Sequence, residues 1–365
     1  MSWCLDVMIY LVGIGVILAA ILGVSRKSES VNLKAANAKN STTRDQVKEI
    51  VSKEKAVHTL IFEQGGYGLG DNLMGLISLY YLRQVVPSLR ERNVKFLFQW
   101  PLFEYFERPD GIEILSESVS SAYTTINITH AYFGEYTSEF SYEKLRQEYS
   151  HRIKASDYWP EASVILHCNM PLFAFDLDGH SSEKLVQTVF NEWFRPRDFL
   201  KQKVKKILDN IQVLYHLRIG DAQLVHDYEV RADHIEAMLS GITELGLTDH
   251  STIFIASDTR DCLSVARKCF PQYQWKGWED YYESVELQHL TFLDQRKNND
   301  RVLERTLVEF MLFKEVSTVV TQRWSNFSKV GLLANRHPEL KIWMLENRDT
   351  CVLRQITDKK DLVFK

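Results

Sequence analysis

The sequence lacks the residue patterns that mark several specialised classes of protein. Its 365 residues include only 5 cysteines and no Cys-x-x-Cys pair, which excludes a disulfide-based scaffold, a zinc ribbon and a thioredoxin-type redox site. The 8 prolines and 16 glycines are too few for a collagen-like or proline-rich chain. Neither charge dominates, since 44 Lys and Arg residues and 48 Asp and Glu residues give a net charge of −4, so we predict no nucleic-acid partner.

The sequence does contain a globular body with an apolar segment in front of it. Hydrophobic residues make up 45% of the chain and charged residues 25%, as in globular proteins. Residues 7–24 form an uncharged run, and as a helix it is roughly 27 Å long, close to the hydrocarbon thickness of a membrane. We therefore predict a transmembrane anchor at 7–24, between a short tail at 1–6 and a polar stem at 25–56. A cleaved signal peptide is the alternative, although no basic residue precedes the run.

Local signals disagree about the side of the membrane on which the body lies. Arg26 and Lys27 follow the apolar run, which favours a cytoplasmic body. Asn40, Asn127 and Asn326 each begin an Asn-x-Ser/Thr triplet, which favours a lumenal body if the triplets carry glycans. Such triplets also arise by chance, so these signals leave the orientation open.

From residue 57 onward, short apolar runs alternate with helical patterns, which is typical of βαβ units. We predict an α/β fold with two Rossmann-like, doubly wound domains facing a cleft, an N-terminal half at 57–205 and a C-terminal half at 206–365. The predicted strands are 58–62, 94–98, 162–167, 213–216, 252–256, 318–320 and 341–344. The predicted helices are 71–86, 233–245, 300–314 and one that begins near 326. Residues 100–160 show no clear periodicity.

A glycine-rich segment at 65–72 follows the first predicted strand. Glycines let backbone N–H groups approach a ligand closely, and the helix that follows offers the positive end of its dipole. The candidate contacts are Gly66, Gly68, Gly70, Asp71 and Asn72. The alternative is a tight strand-to-helix turn without a ligand, since the segment is not a Gly-x-Gly-x-x-Gly motif.

Two strand ends in the C-terminal half carry charged residues. The segment HLRIGD places His216, Arg218 and Asp221 at the end of one predicted strand. An arginine there can bind a diphosphate through two parallel N–H bonds, or can form a structural ion pair. Asp258 lies at the end of the next predicted strand. There it can accept a hydrogen bond from a nucleotide base or a sugar hydroxyl, or it can act as the N-cap of the following helix.

A third strand end in this half carries small hydroxyl residues. The segment TQRWSNFS, 321–328, precedes the last predicted helix. Hydroxyl side chains and backbone N–H groups at a helix start can bind a phosphate together. The alternative is that Ser325 acts only as a helix N-cap.

The order of these segments resembles the inverting GT-B fucosyltransferases, which include xyloglucan α1,2-, core α1,6- and protein O-fucosyltransferases. GLGDNLMGLISLYYL at 68–82 and WSNFSKVGLLA at 324–334 are similar to two motifs of the xyloglucan enzymes. The resemblance implies that the C-terminal half binds GDP-fucose, with Arg218 on the β-phosphate, His216 beside it and Asp258 on the guanosine. It also implies that the phosphates and base contact Ser325, Phe327 and Ser328.

The chain departs from this family in two places. Ile219 stands where related enzymes have a second arginine, and Arg323 is a candidate replacement. The family's catalytic base has no close match, which leaves Asp227 and Glu229 as candidates, with His226 as a further possibility. No Asp-x-Asp motif is placed for a metal, so we predict metal-independent transfer, with no cofactor besides the donor, in which arginine and helix N-termini meet the leaving-group charge.

The resemblance also implies a location and a reaction. It favours a type II Golgi membrane protein with a lumenal body, glycans at Asn40 and Asn127, and an unmodified Asn326. The expected acceptor is a glycan or a glycoprotein, and a homodimer is compatible with the sequence. Two alternatives are a GT-B enzyme for another nucleotide sugar and a non-catalytic member that binds glycan or nucleotide. A dinucleotide-dependent enzyme is disfavoured because no ribose-binding acid follows the glycine loop.

Overall fold

The computed structural model describes residues 58–65, 68–115, 123–129, 142–219, 231–259, 261–282, 299–323, 325–346 and 351–362, all within one compact unit, Ala56–Lys365. The predicted tail, anchor and stem lie outside these residues. Within the described ranges, no helix is long and apolar enough to cross a membrane.

The N-terminal half is built on a five-stranded sheet in which every pair of neighbouring strands is parallel. Its spatial order is β3-β2-β1-β5-β4. The strands are β1 Thr59–Glu63, β2 Asn93–Leu97, β3 Glu113–Leu115, β4 Thr124–Ile128 and β5 Val164–Cys168. The central strand β1 is apolar on both faces, with Leu60, Ile61 and Phe62 fully buried, as expected for a parallel sheet covered on two sides.

The C-terminal half contains a six-stranded sheet in the order β11-β10-β9-β6-β7-β8. Its strands are β6 Val213–Leu217, β7 Thr252–Ser257, β8 Gln274–Lys276, β9 Thr318–Gln322, β10 Lys341–Leu345 and β11 Leu353–Ile356. Only the pairing of β10 with β11 is antiparallel. The sheet therefore has Rossmann-like parallel topology with one antiparallel edge strand.

The helices connect and cover the two sheets. They are α1 Leu69–Val85, α2 Pro87–Arg90, α3 Leu102–Tyr105, α4 Tyr142–Glu148, α5 Gly179–Trp193, α6 Asp198–Leu208, α7 Ala232–Ser240, α8 Asp261–Cys269, α9 Asn299–Glu315 and α10 Asn326–Ala334. A π-helical turn spans Tyr149–Ile153, and short 3₁₀ segments span Ser156–Tyr158, Leu172–Phe175, Gly241–Leu245, Trp278–Asp280 and Lys359–Leu362.

One continuous apolar core joins the two halves. It includes Phe62 on β1 of the first sheet and Val319 on β9 of the second. Helices α1 and α5 of the N-terminal half pack against α10, and the rings of Phe190 and Phe310 lie 5.1 Å apart. We call this contact of α1 and α5 with α9 and α10 the seam.

The structure confirms the α/β class and every predicted strand to within about two residues. The predicted helix at 233–245 is corrected, because α7 ends at Ser240 and the chain continues as a 3₁₀ turn to Leu245. Four strands were not predicted: β3, β4, β8 and β11. They are 3 to 5 residues long, and the sequence of β4, TTINI, has only two apolar residues, so none contains a long apolar run.

Candidate active site

The candidate residues of the C-terminal half meet at the carboxyl edge of its sheet. Arg218, Asp258 and Arg323 come directly after β6, β7 and β9. Strand β6 lies between β9 and β7, so the chain order reverses beside it. In open α/β sheets, ligands bind in the crevice at such a reversal, outside the carboxyl ends of the strands.

His216 lies at the base of this crevice and is fully buried. Its Nδ1 is 3.2 Å from Oγ1 of Thr321, and its Nε2 is 3.3 Å from Oε1 of Glu309 on α9. The aromatic rings of Phe313 and Phe327 pack against the imidazole at 5.1 and 6.1 Å. These contacts fix the ring in place beneath the strand end that carries Arg218.

Glu309 is almost completely buried, at 8% exposure. Burial raises the pKa of this carboxyl group, but the contact with His216 and the positive charges of Arg305 and Arg218 lower the pKa overall. Glu309 is not among the residues predicted from the sequence, because the pattern of α9 distinguishes its apolar face but no single polar residue.

Arg218 is positioned by its backbone and by Asp258. Its N–H donates to Oε1 of Gln322 at 2.8 Å, which ties the end of β6 to the end of β9. Its Nε lies 3.5 Å from Oδ2 of Asp258, while Oδ1 of Asp258 accepts from the N–H of Ile219 at 2.8 Å. Both side chains are partly exposed, at 22% and 15%. Arg218 thus forms an ion pair at the mouth of the crevice, but its partner is Asp258 of the neighbouring strand, and Asp221 of its own segment lies outside the described residues.

The glycine loop is held in shape by Asn72, which is buried. Its Oδ1 accepts from the N–H of Gly65 at 3.1 Å, and its Nδ2 donates to the carbonyl of Gly68 at 3.1 Å. One amide side chain therefore closes the loop from both ends. Gly66 lies outside the described residues.

The start of α1 touches the start of α10 across the seam. A Cβ atom on Gly70 would lie 2.6 Å from the backbone of Phe327, so only glycine fits there. Beside it, Nδ2 of Asn326 donates to Oδ1 of Asp71 at 3.0 Å. The first and last motifs of the sequence are thus in direct contact, and the carboxyl edges of the two sheets face a common space.

The hydroxyl residues of the last motif form the cap of α10. Oγ of Ser325 accepts from the N–H of Ser328 at 3.3 Å, and Oγ of Ser328 donates to the carbonyl of Ser325 at 3.0 Å. Phe327 is buried in the core against Phe310 and His216. The N-cap interpretation of Ser325 is confirmed, and the cap places the N-terminus of α10 beside the crevice.

Arg323 forms an ion pair outside the cluster around Arg218. Its Nη1 lies 2.5 Å from Oε2 of Glu346, and Oε1 of Glu346 accepts from Nε of Arg354 at 2.6 Å. Burial raises the pKa of Glu346, but the two arginines lower it overall. Arg323 is therefore engaged by a carboxylate on the surface.

Several predicted residues lie outside the described ranges: Asn40, Asp221, Asp227 and Glu229. The structure places Asn127 on β4 with an exposed side chain. Among the described residues, no group of three or more His, Cys, Asp or Glu side chains is arranged to hold a metal ion.

A carboxylate–imidazole pair at the edge of the first sheet was not predicted. Glu63 ends β1, and its Oε2 lies 2.7 Å from Nε2 of His167 on the neighbouring strand β5. Both side chains are partly exposed, at 26% for Glu63 and 31% for His167. The two residues are 104 positions apart in the sequence, so the pair can be found only when the strand order is known.

The architecture defines a fold. Two Rossmann-like sheets that share a core, with charged strand ends on one side and a glycine loop on the other, are arranged as in GT-B glycosyltransferases. No protein-family model matches the sequence, and a comparison with curated proteins finds no match either.

Solved structures supply the particular likeness. The chain matches an arginine-to-lysine mutant of Arabidopsis thaliana FUT1 in complex with GDP, with a TM-score of 0.53 and 11% identity over 86% of this chain and 79% of that chain. It matches NodZ α1,6-fucosyltransferase soaked with GDP-fucose with a TM-score of 0.50 and 13% identity, over 82% and 99% of the two chains. NodZ from Bradyrhizobium gives a TM-score of 0.50 and 15% identity, over 83% and 99%. The chain therefore has a GT-B fucosyltransferase-like fold, which confirms the resemblance inferred from the motifs.

Proposed function

We propose that this protein is a glycosyltransferase that transfers fucose from GDP-fucose to a glycan or glycoprotein acceptor, with inversion and without a metal. The observation that carries the proposal is the cluster at the carboxyl edge of the second sheet. Arg218 and Asp258 lie at its mouth, 3.5 Å apart, and the His216–Glu309 pair lies below. Solved structures with this fold contain GDP or GDP-fucose.

The donor binds with its diphosphate at the mouth of the crevice. The planar guanidinium of Arg218 presents paired N–H donors that match two phosphate oxygens, and Asp258 holds it at the strand end. The capped N-terminus of α10 adds the positive end of a helix dipole. As the bond to fucose breaks, negative charge grows on GDP, and these donors stabilise it in the transition state.

The acceptor hydroxyl attacks from the face of the sugar opposite GDP and loses its proton to a base. Asp227 and Glu229 remain candidates from the sequence. Among the described residues, we add Glu63, because His167 orients its carboxylate at the edge of the facing sheet. The acceptor then binds to the N-terminal half, between the glycine loop and this pair.

The cellular setting is part of the same proposal. The apolar run at 7–24 anchors the chain in the Golgi membrane as a type II protein, and the body lies in the lumen. Asn127 is exposed on β4 and is the better glycan acceptor, whereas the amide nitrogen of Asn326 is engaged by Asp71. A lumenal body places the enzyme among maturing glycoproteins.

The test is calorimetry on the full-length chain in mild detergent and EDTA, with GDP, GDP-fucose, UDP and NAD as ligands. We expect GDP and GDP-fucose to bind without metal, and Arg218→Ala to weaken both at least 100-fold, because it removes a charge-assisted bidentate contact. Arg267→Ala is the matched control, since Arg267 is exposed on α8 and pairs with Asp280.

Each alternative predicts a different result. Binding of UDP in preference to GDP identifies a transferase for another nucleotide sugar. Tight GDP binding with no turnover of GDP-fucose on any glycan acceptor identifies a non-catalytic binding protein. A folded chain that binds no guanine nucleotide refutes the donor assignment.

A further inference from the structure

Arg305 on α9 is a buried cation with no carboxylate partner among the described residues. Its side chain is only 5% exposed. Its Nε and Nη1 atoms have no hydrogen-bond partner among the described residues, and no carboxylate of those residues forms an ion pair with it. A buried charge in this state is costly and is retained where a ligand or a partner compensates it.

The direction of α9 places Arg305 at the level of Arg218. The C-terminus of α9 leads into the amino end of β9, so its first half points toward the carboxyl edge of the sheet. Glu309 contacts His216 on β6. Arg305 lies one helical turn, about 5.4 Å, closer to that edge, and Arg218 lies two strand residues, about 6.6 Å, beyond His216 in the same direction.

The surroundings hold the guanidinium without engaging its buried Nε and Nη1 groups in a hydrogen bond among the described residues. Its central carbon lies 5.8 Å from the centre of the Trp278 ring, at the distance of a cation–π contact. The nearest acids are committed to other partners, since Glu309 contacts His216 and Asp258 accepts from Ile219. Burial lowers the pKa of Arg305 overall, with a further lowering by the positive charge of Arg218, although the charges of Glu309 and Asp258 oppose the shift.

We propose that Arg305 is a second diphosphate-binding residue, which donates from its buried N–H groups to phosphate oxygens that Arg218 holds from the crevice mouth. This inference rests on the proposed function and adds a residue from outside the four sequence motifs. A guanidinium suits the position because its planar fork can serve two oxygens, and low exposure to water strengthens each bond. Arg323 does not fill this role, because its ion pair with Glu346 lies outside the cluster around Arg218.

The test separates phosphate recognition from general packing. Full-length wild-type protein, Arg305→Met and Arg305→Lys are titrated with GDP, GMP and guanosine in mild detergent, and thermal unfolding checks the fold of each. We expect Arg305→Met to weaken GDP binding about 10- to 100-fold and guanosine binding less than about 3-fold. Arg305→Lys restores part of the loss, since it keeps the charge and loses the fork. Arg301→Met, at an exposed position on the same helix, is the matched control and leaves all affinities unchanged.

Three outcomes overturn the proposal. One is an equal loss of GDP and guanosine affinity in Arg305→Met, which assigns Arg305 to packing under Trp278. Another is unchanged GDP affinity in folded Arg305→Met or, if that variant does not fold, in Arg305→Lys. The third is a wild-type chain that binds no guanine nucleotide, which refutes the proposed function as well. In the first two outcomes, loss of binding in Arg218→Ala shows that the proposed function survives.

Discussion

The two sheet edges that face each other differ in their chemistry. The edge of the C-terminal half concentrates charge, with Arg218, Asp258, Arg305 and Glu309 partly or fully withdrawn from water. The edge of the N-terminal half offers a glycine loop closed by Asn72 and a single carboxylate–imidazole pair. Charge withdrawn from water suits an anionic donor, whereas close backbone approach and one exposed carboxylate suit a neutral sugar acceptor. Under the proposed function, this difference predicts that donor binding and acceptor activation can be separated by mutation.

Glu63→Gln is the variant with the largest expected effect, and it tests whether turnover can be lost while GDP affinity is kept. Glutamine keeps the shape of the side chain but cannot accept a proton, so we expect turnover of GDP-fucose to fall about 100-fold. GDP affinity measured by calorimetry is expected to stay unchanged, because the residue lies on the other half.

Glu113→Gln is the control for this variant. Glu113 is an exposed carboxylate on β3 of the same sheet, where it pairs with Lys95. A loss of GDP affinity in Glu63→Gln, or equal turnover in the two variants, would contradict the assignment of Glu63 to the acceptor side.

Gly70→Ala breaks the contact that aligns the two edges. The added methyl group would meet the backbone of Phe327 at 2.6 Å, so α1 and α10 must move apart. We expect the free energy of unfolding to fall by about 2–3 kcal/mol, as measured by urea denaturation. In an uncrowded helix the same change would stabilise the protein by up to about 1 kcal/mol, so a gain in stability would show that the seam is not tight there.

Lys314→Met tests the other end of the seam and has the smallest effect. The ammonium group lies 5.2 Å from the centre of the Phe190 ring, and burial lowers the pKa of Lys314 to about 8. In the unfolded chain, the pKa of a lysine is about 10.4. Between pH 8 and about pH 10.4 the unfolded chain therefore binds more protons at this position than the folded protein does. Wild-type stability should therefore rise as the pH rises from 8 toward 10.

The methionine variant removes this buried charge. At pH 7 we expect it to be about 1–2 kcal/mol more stable than the wild type, after allowance for solvent screening, and the gain should shrink above pH 8. Thermal unfolding across this pH range measures both trends. Lys205→Met, at an exposed position on α6, should show neither, and a pH-independent gain in Lys314→Met would contradict the pKa assignment.

The sequence predicted the parts of the fold and site that depend on local pattern. Arg218 and Asp258 were found because each follows a buried apolar run, and the cap at Ser325 because it precedes a helix. Glu309 and Arg305 were not predicted, because they lie on α9 among apolar residues. A polar residue in such a helical pattern is usually assigned to the solvent-exposed face. The contact between Glu63 and His167 was not predicted, because β1 and β5 are adjacent in the sheet but far apart in the sequence.

The contact at the seam has a consequence for how related sequences can diverge. The backbone of Gly70 packs directly against the backbone of Phe327. Beside them, Asp71 accepts a hydrogen bond from Asn326, which is 255 positions away in the sequence. A side chain at position 70 becomes tolerable only when the helix around 327 shifts, and a change at 71 leaves the amide at 326 without its acceptor. In related sequences, we therefore expect positions 70 and 327 to change together, and likewise positions 71 and 326. Such covariation between distant positions would be evidence that the two halves are held together by this contact.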